Sequence, residues 1–443
     1  MRCRSIFNRC FSLLTVVVVS SLAEQVAAQT DSLFLTVDKM LTLGTENSLR
    51  LQADLLGERM SEERSKTART KLLPDLNVGL NGGFIGQPVI FQHGLKDPVR
   101  PETPDWSQNY AINLVQPIYQ GGKIRYSIRK ADIEREIAGY QTATDRSGIK
   151  LGLLQQYLNL FSLYKQEDVL NRNIDESERR LADIRRMKKE GLITNNDVLR
   201  SELQLTNNRL ALKEAVNNIK LVSQQLDIWL GLDEMLIIIP DTNLLHSSVP
   251  LSSYEEYVQL AYENNPAMKM LRVRNKQASN EVRLAEAAYL PTVSISAGNT
   301  LARPLSRTLD DLYNNNWNIG LSISYSLSSL YNNRYKVREM KHSVFLAQNA
   351  EQQEMQQLRM KIRTAYLHHK EAKERVEALE LSVKQAQENY RIMRNRYLEQ
   401  LAILTDLLDA DNVRLQSELQ LTTAYTQVIY TYFELQEVCG QLY

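Results

Sequence analysis

The 443-residue chain carries 53 Lys and Arg against 52 Asp and Glu, a formal charge of +1, so no basic excess exists to neutralise a phosphate backbone and nucleic acid is not an expected partner. Only 17 Gly and 11 Pro punctuate this length, and no proline falls between Pro117 and Pro240 or after Pro304. That excludes a string of small turn-rich domains and predicts long helices in the proline-free spans.

Residues 1–28 read as a secretory signal. Arg2, Arg4 and Arg9 make a cationic start, Phe11 to Ala23 supply a short apolar segment, and small residues at Val26 to Ala28 precede an expected cut ahead of Gln29. Cys3 and Cys10 fall inside it, and Cys10 precedes the apolar segment, so a lipidated N-terminus is not expected. Cys439 is then a lone thiol, without a disulfide partner or metal-ligand neighbours. No later apolar run approaches about 18 residues, so any membrane contact must come through strands.

Residues 29–240 form a first repeat. A helix from Thr36 to Leu73 stops at Pro74, and strands follow at about 75–86 and 108–119. Between them, Gly86 to Asp105 holds Pro88, Pro98, Pro101 and Pro104 and reads as an exposed loop. A long helical hairpin covers about 123–230; its first arm, Lys123 to Glu190, spans roughly 100 Å at about 1.5 Å per residue. After a break at Gly191 the return helix shows Val198, Leu205, Leu212, Ile219 and Leu226 at a seven-residue spacing, a coiled-coil seam. No role follows from sequence for residues 231–250 or for the end of the chain after Val438.

Residues 241–443 repeat the plan. Ser253 to Leu290, ending at Pro291, parallels the first helix, with Glu263 and Asn264 opposite Glu46 and Asn47. Strands are expected at about 292–301 and 316–328, with Ala302 to Asn316 as the loop, and a helical hairpin at about 332–438. Tyr366-Leu367 falls opposite Tyr157-Leu158, and Asp406-Leu407-Leu408 opposite Asp197-Val198-Leu199, in one register. Leu401, Leu408, Leu415, Thr422 and Ile429 predict the second seam.

The fourth strand carries the membrane argument. Trp317, Ile319, Leu321, Ile323, Tyr325 and Leu327 alternate with Asn318, Gly320 and serines, one apolar face and one small polar face over about the length a tilted bilayer strand needs. The three companion strands repeat this more loosely. Four strands cannot close a membrane barrel, because an open edge leaves backbone groups unpaired in lipid, so copies of the chain must share one. Two, three or four copies all satisfy that requirement.

Gln116-Pro117-Ile118-Tyr119-Gln120-Gly121-Gly122 ends a strand and opens the long helix, the proline expected to end pairing and the glycines to permit a sharp turn. With the duplicated plan, the leader and two hairpin-tip segments, Gly191 to Ser201 and Gln400 to Asp411, this resembles the TolC-like outer membrane efflux protein family. The resemblance implies an α+β membrane fold: long antiparallel coiled-coil helices forming a periplasmic α-barrel, plus four strands per protomer in a shared trimeric barrel. It implies an exit duct in the outer membrane that docks a periplasmic adaptor and an inner-membrane transporter, with outer-membrane lipid around the barrel and neither catalytic site nor cofactor. It places Asp406 and Asp409 at the pore constriction, Asp197 and Tyr397 at a link between hairpins, and shows Ala402 where a second link has Arg. In the second half Tyr331-Asn332-Asn333-Arg334 stands where a Gly-Gly copy would sit, with Asn expected to adopt the turn.

His93, His246, His342, His368 and His369 show no metal-ligand spacing and read as solvated surface. No phosphate loop, nucleophile elbow or paired catalytic set is visible, so an enzyme is not expected. A soluble periplasmic coiled-coil scaffold, its alternating segments serving as sheet caps, stands as the alternative.

Overall fold

The computed structural model describes residues 32–241, 251–304 and 310–442. The expected signal at 1–28, His246 and part of each of the segments 231–250 and 302–316 lie outside the described residues. In chain order the first half comprises β1 (Ser32–Leu35), α1 (Val37–Asn47), α2 (Leu49–Thr70), β2 (Asp75–Phe84), β3 (Ile90–His93), β4 (Lys96–Val99), β5 (Trp106–Gln120), α3 (Lys123–Lys189), α4 (Asn195–Leu230) and β6 (Ile237–Pro240). The second comprises α5 (Tyr254–Asn264), α6 (Pro266–Glu286), β7 (Thr292–Arg303), β8 (Asn314–Ser324), α7 (Ser329–Leu398) and α8 (Leu404–Val438).

Each expected leading helix is two helices. Ser48 is extended between α1 and α2, and Asn265 breaks the chain ahead of Pro266, which starts α6 without needing an N–H donor. The breaks fall at matching places in the two repeats and are tied down alike. Asn47 Nδ2 donates to Leu230 O at 2.6 Å, and Asn265 Nδ2 donates to Val438 O at 3.0 Å. Gly231 and Gly440 follow those carbonyls in the left-handed region, and a Cβ on Gly440 would lie 2.7 Å from the Asn264–Asn265 peptide. The end of the chain therefore locks the second break.

Two compact units are built from these elements. Of the described residues, one takes those up to Ser48, those within 148–251 and Ala365–Leu435. Its first core gathers Leu35, Met40, Leu153, Tyr157, Leu160, Leu226, Leu230 and Ile238. Segments without an expected role supply part of it: β1 pairs in parallel with β6, Ser32 opposite Ile237 through Leu35 opposite Pro240. Tyr157, fully buried, donates to Leu35 O and accepts from Asp241 N, both at 2.7 Å, and burial pushes its phenol up to about 12. A second core in this unit is described with the hairpin tips below.

The other unit takes Leu49–Ser147, Ser252–Thr364 and Gln436–Tyr443, and holds the four-stranded antiparallel sheet in the order β2-β5-β7-β8. Strand β8 stops at Ser324, short of the expected 328, because Ser324 pairs with Thr292, the first residue of β7, and no partner lies beyond. The first outer loop is not wholly irregular: β3 and β4 pair across Gly94, with Ile90 opposite Val99.

The heptad expected in α4 is found, with Val198, Leu205, Ile219 and Leu226 buried and Leu212 partly so. The one expected in α8 is not. Leu401 is exposed and Leu408 half-buried, whereas Ala410, Ser417, Ala424 and Thr431 are buried at the same seven-residue spacing. Small side chains make that seam, letting backbones approach closely, and a search for bulky residues passes over it. His369 faces the same interior. It is 3% exposed, with Nδ1 3.0 Å from Thr431 Oγ1, which corrects its reading as solvated surface; burial and then Lys373 lower its pKa, keeping it neutral.

Candidate functional site

Register decides what the sheet can face. Opposed residues share a side of an antiparallel sheet, so the rows Leu80–Tyr110–Leu301, Val78–Ile112–Asn299–Trp317, Leu76–Leu114–Ala297–Ile319, Ile295–Leu321 and Val293–Ile323 lie on one face. All of these but Asn299 are apolar, and the first and fourth rows are completed by the polar Asn315, opposite Leu301, and Gln116, opposite Ile295. The opposite face carries Asn81–Asn109, Gly79–Ala111–Thr300–Asn316, Asn77–Asn113–Gly298–Asn318 and Ser294–Ser322. Within the chain Trp317, Ile319, Leu321 and Ile323 are 65 to 71% exposed, far beyond what an apolar face tolerates in water. β2 and β8 are edge strands with no partner on their outer sides among the described residues.

The strand-to-helix motif behaves partly as expected. Gly121 and Gly122 have φ of 62° and 85°, and a Cβ on Gly121 would meet Ala287 O at 2.5 Å, so both conformation and space demand glycine there. Gln116 Nε2 donates to Leu72 O at 3.0 Å, fastening β5 to the turn after α2. Pro117, however, does not end the strand: it pairs with Ser294 inside a β-bulge, Tyr119 pairs with Val293, and β5 runs on to Gln120. The bulge absorbs the missing N–H and returns Tyr119 to the apolar face. In the second half, Asn332 and Asn333 are already helical, because α7 starts at Ser329; Asn333 instead donates its Nδ2 to Ala285 O at 2.6 Å.

The hairpin tips are alike. Gly191 ends α3 with φ of 77°, Gln400 ends α7 with φ of 61°, and Leu192 N and Leu401 N reach back to Met187 O and Arg396 O. Thr194 caps α4 in a capping box with Asp197. Tyr397 lies in a core with Ile184, Val198, Leu205, Leu404 and Leu407, and Asp197 comes near enough for its charge to act on the Tyr397 hydroxyl, but the two are not bonded to each other. Asp197 Oδ2 accepts from Thr194 N at 3.0 Å and Thr194 Oγ1 at 2.7 Å, while the 5%-exposed Tyr397 hydroxyl has no hydrogen-bond partner among the described residues. Burial and then the Asp197 charge raise the Tyr397 pKa. Asp406 and Asp409 stand exposed on one face of the first turns of α8, neither with a partner among the described residues.

Hydrogen bonds that sequence reasoning missed join the two hairpins. Arg200 donates to Thr405 Oγ1 and Gln204 to Asn412 Oδ1, each at 2.7 Å. Beneath Asp406 and Asp409, on the opposite face of α8, Asp411 is 1% exposed and pairs with Arg180 at 2.7 Å and Arg414 at 2.8 Å. Arg180 also donates to Tyr390 Oη at 3.0 Å, Asn173 donates to Asp411 Oδ1 at 3.3 Å, and Arg414 lies 4.2 Å over the Tyr390 ring. The signal was present: Asn173, Ser177 and Arg180 recur at helical spacing on the packing face of α3, a polar interruption of an apolar seam.

Comparison with known proteins assigns this architecture. A family model described as outer membrane efflux protein matches residues 41–232 and 257–441, one match in each repeat. The chain belongs to the outer membrane efflux protein family. Among solved structures, this efflux protein superposes on the outer membrane protein VceC of Vibrio cholerae with TM-score 0.74 at 17% identity, over 91% of this chain and 96% of that one. The outer membrane channel CmeC of Campylobacter jejuni gives 0.74 at 17% identity, over 92% and 86%, and the open-state outer membrane channel MtrE of Neisseria gonorrhoeae gives 0.73 at 16%, over 92% and 89%. At such identities the likeness establishes the fold. No curated protein matches the sequence significantly. The efflux protein is thus an outer-membrane exit duct extending into the periplasm, and the soluble-scaffold reading is set aside by its family and its exposed apolar sheet face.

Proposed function

We propose that three copies of the efflux protein close one membrane barrel, four strands from each, and that the paired helical hairpins continue it as a periplasmic tube. The observation carrying this reading is the pair of open sheet edges, β2 and β8, on a sheet with one apolar face. Lipid cannot satisfy those edges, so β2 of one copy must pair with β8 of the next. Three fours make twelve, inside the known range of strand numbers. The duct is passive: a periplasmic adaptor and an inner-membrane transporter dock on it and supply the energy, as in an efflux pump or a type I secretion system, and it needs no catalytic group or cofactor.

At the tips, Asp406 and Asp409 of the copies form the constriction; their exposure, shared face and lack of partners support this. Concentrated negative charge there favours cations. The closed tip is held within each protomer by Arg180–Asp411 and Arg200–Thr405, compensating for Ala402, while Tyr397 fills the core beside them and Asp197 caps the neighbouring helix. The mass of the detergent-solubilised complex tests the stoichiometry. Three protein masses are expected; two or four would overturn the barrel proposed here.

A further inference from the structure

Charge is unevenly placed where the sheet meets the helices. Residues 64–74, closing α2 and leading into β2, hold four cations and no acid; residues 121–131, opening α3, hold four and none; residues 329–341, opening α7, hold four against Glu339 alone. The chain as a whole is nearly neutral at +1, so this collar is a local excess, not a reflection of composition. Much of it is unspent. Lys123, Arg125 and Arg129 on α3, and Arg334, Arg338 and Lys341 on α7, are exposed and have no carboxylate partner among the described residues.

The trio on α7 is the best defined. Its members are spaced four and three apart, on one helical face. They line a cavity of about 620 Å³ with Tyr289 and Leu290, whose only acid, Glu286, is already paired to Arg283. α7 runs away from the sheet, and helical side chains lean toward their helix's N-terminus, so these cations lean back toward the strands. Between them and the apolar β8 face stand exposed Tyr325, Leu327 and Tyr331, with exposed Tyr335 among the cations. Apolar, then aromatic, then cationic is the order of a bilayer boundary, and at about 1.5 Å per residue Arg334 and Arg338 stand roughly 8 and 14 Å along α7 from Ser329, within a headgroup layer of roughly 5 to 8 Å plus the reach of long basic side chains, with Lys341 at its margin.

We propose that the collar centred on Arg334, Arg338 and Lys341 binds the phosphate headgroups of anionic phospholipids in the periplasmic leaflet of the outer membrane. Arginine forks match phosphate oxygens, and the open depression sets three cations around one headgroup position. The proposal rests on the reading that the apolar sheet face lies in lipid.

The test has two arms on the full-length protein. Entry into phosphatidylcholine vesicles tests the sheet reading alone. Lipid retained by the detergent-solubilised protein, counted by native mass spectrometry against phosphatidylglycerol, phosphatidylcholine and inorganic phosphate, tests the collar. Phosphatidylglycerol is expected to be retained in preference and not displaced by inorganic phosphate. Arg334→Gln, Arg338→Gln and Lys341→Gln should weaken retention roughly fivefold per charge removed, and Arg334→Lys with Arg338→Lys should keep most of it. Equal retention of both lipids, a triple variant with unchanged preference, or displacement by inorganic phosphate overturns the site. Failure to enter phosphatidylcholine vesicles would instead remove the sheet reading, and the proposal with it.

Discussion

Asp411→Asn is the substitution with the most to reveal. The carboxylate is 1% exposed and neutralises Arg180, itself 7% exposed, which has no other carboxylate partner among the described residues; Arg414 keeps Glu176, 2.6 Å away. Removing one member of a buried ion pair costs about 3 to 5 kcal/mol, because the remaining charge is left desolvated. Asparagine retains an acceptor for Arg180, which puts the expected loss at the lower end, about 3 kcal/mol. The exposed pair Arg185–Glu202 is the internal control, and Arg185→Gln should cost below about 1 kcal/mol. Equilibrium urea unfolding in detergent, followed by the helix signal, measures both. A double-mutant cycle with Arg180→Gln should show strong coupling, because the second change removes the stranded charge. Since α8 carries Asp406 and Asp409 on its other face, Asp411→Asn should also loosen the tip and raise conductance. Asp411→Asn costing no more than the surface control, or an additive cycle, would refute the reasoning.

Other substitutions probe other links. Asp227 is fully buried with neither carboxylate oxygen partnered, and burial followed by Asp233 raises its pKa to about 6. Its folded value exceeds the unfolded one, so the stability it contributes is present below about pH 4 and lost as pH rises through about 6. Asp227→Asn should therefore stabilise the fold at pH 8 by on the order of 1 to 2 kcal/mol once water reaching the helix end is allowed for, read as a higher melting temperature, with no gain at pH 4. Leu321→Arg on the apolar face should cost about 2 to 4 kcal/mol and cut membrane-integrated yield, whereas Ser322→Arg on the polar face should be tolerated. Gly121→Ala combines a left-handed φ with a 2.5 Å approach to Ala287 O, and should cost about 2 to 4 kcal/mol, read as lost heat resistance of the assembled protein.

Long-period features were legible in the sequence. Proline-free spans gave the two hairpins, and a strict two-residue alternation gave β8, because a helix or strand that long must repeat its pattern many times. The looser alternation of β2, β5 and β7 becomes one apolar face only when the register is known, since neighbours supply what each strand lacks. Four-residue strands such as β1 and β6 have too few positions to show a period, and their pairing spans most of the first repeat. The buried Ala410–Ser417–Ala424–Thr431 seam and the Arg180–Asp411 pair were hidden because small and charged residues read as surface until a partner helix covers them. Pro117 misled for a local reason: a bulge accommodates a proline that a regular ladder excludes. At the tip, Asp406 and Asp409 were named by resemblance, and spacing alone placed them on one face; the capping box that occupies Asp197 follows from Thr194 three residues earlier.

The central claim is that this chain assembles a membrane duct narrowed by aspartates at its periplasmic end. Single-channel recording of the detergent-purified protein in a planar bilayer, with ion selectivity, compares it with Asp406→Asn, Asp409→Asn. Discrete, cation-preferring steps that lose their preference in the variant are expected. Steps with identical selectivity in both proteins would remove the constriction, and no steps at all, even from the loosened Asp411→Asn protein, would contradict the duct.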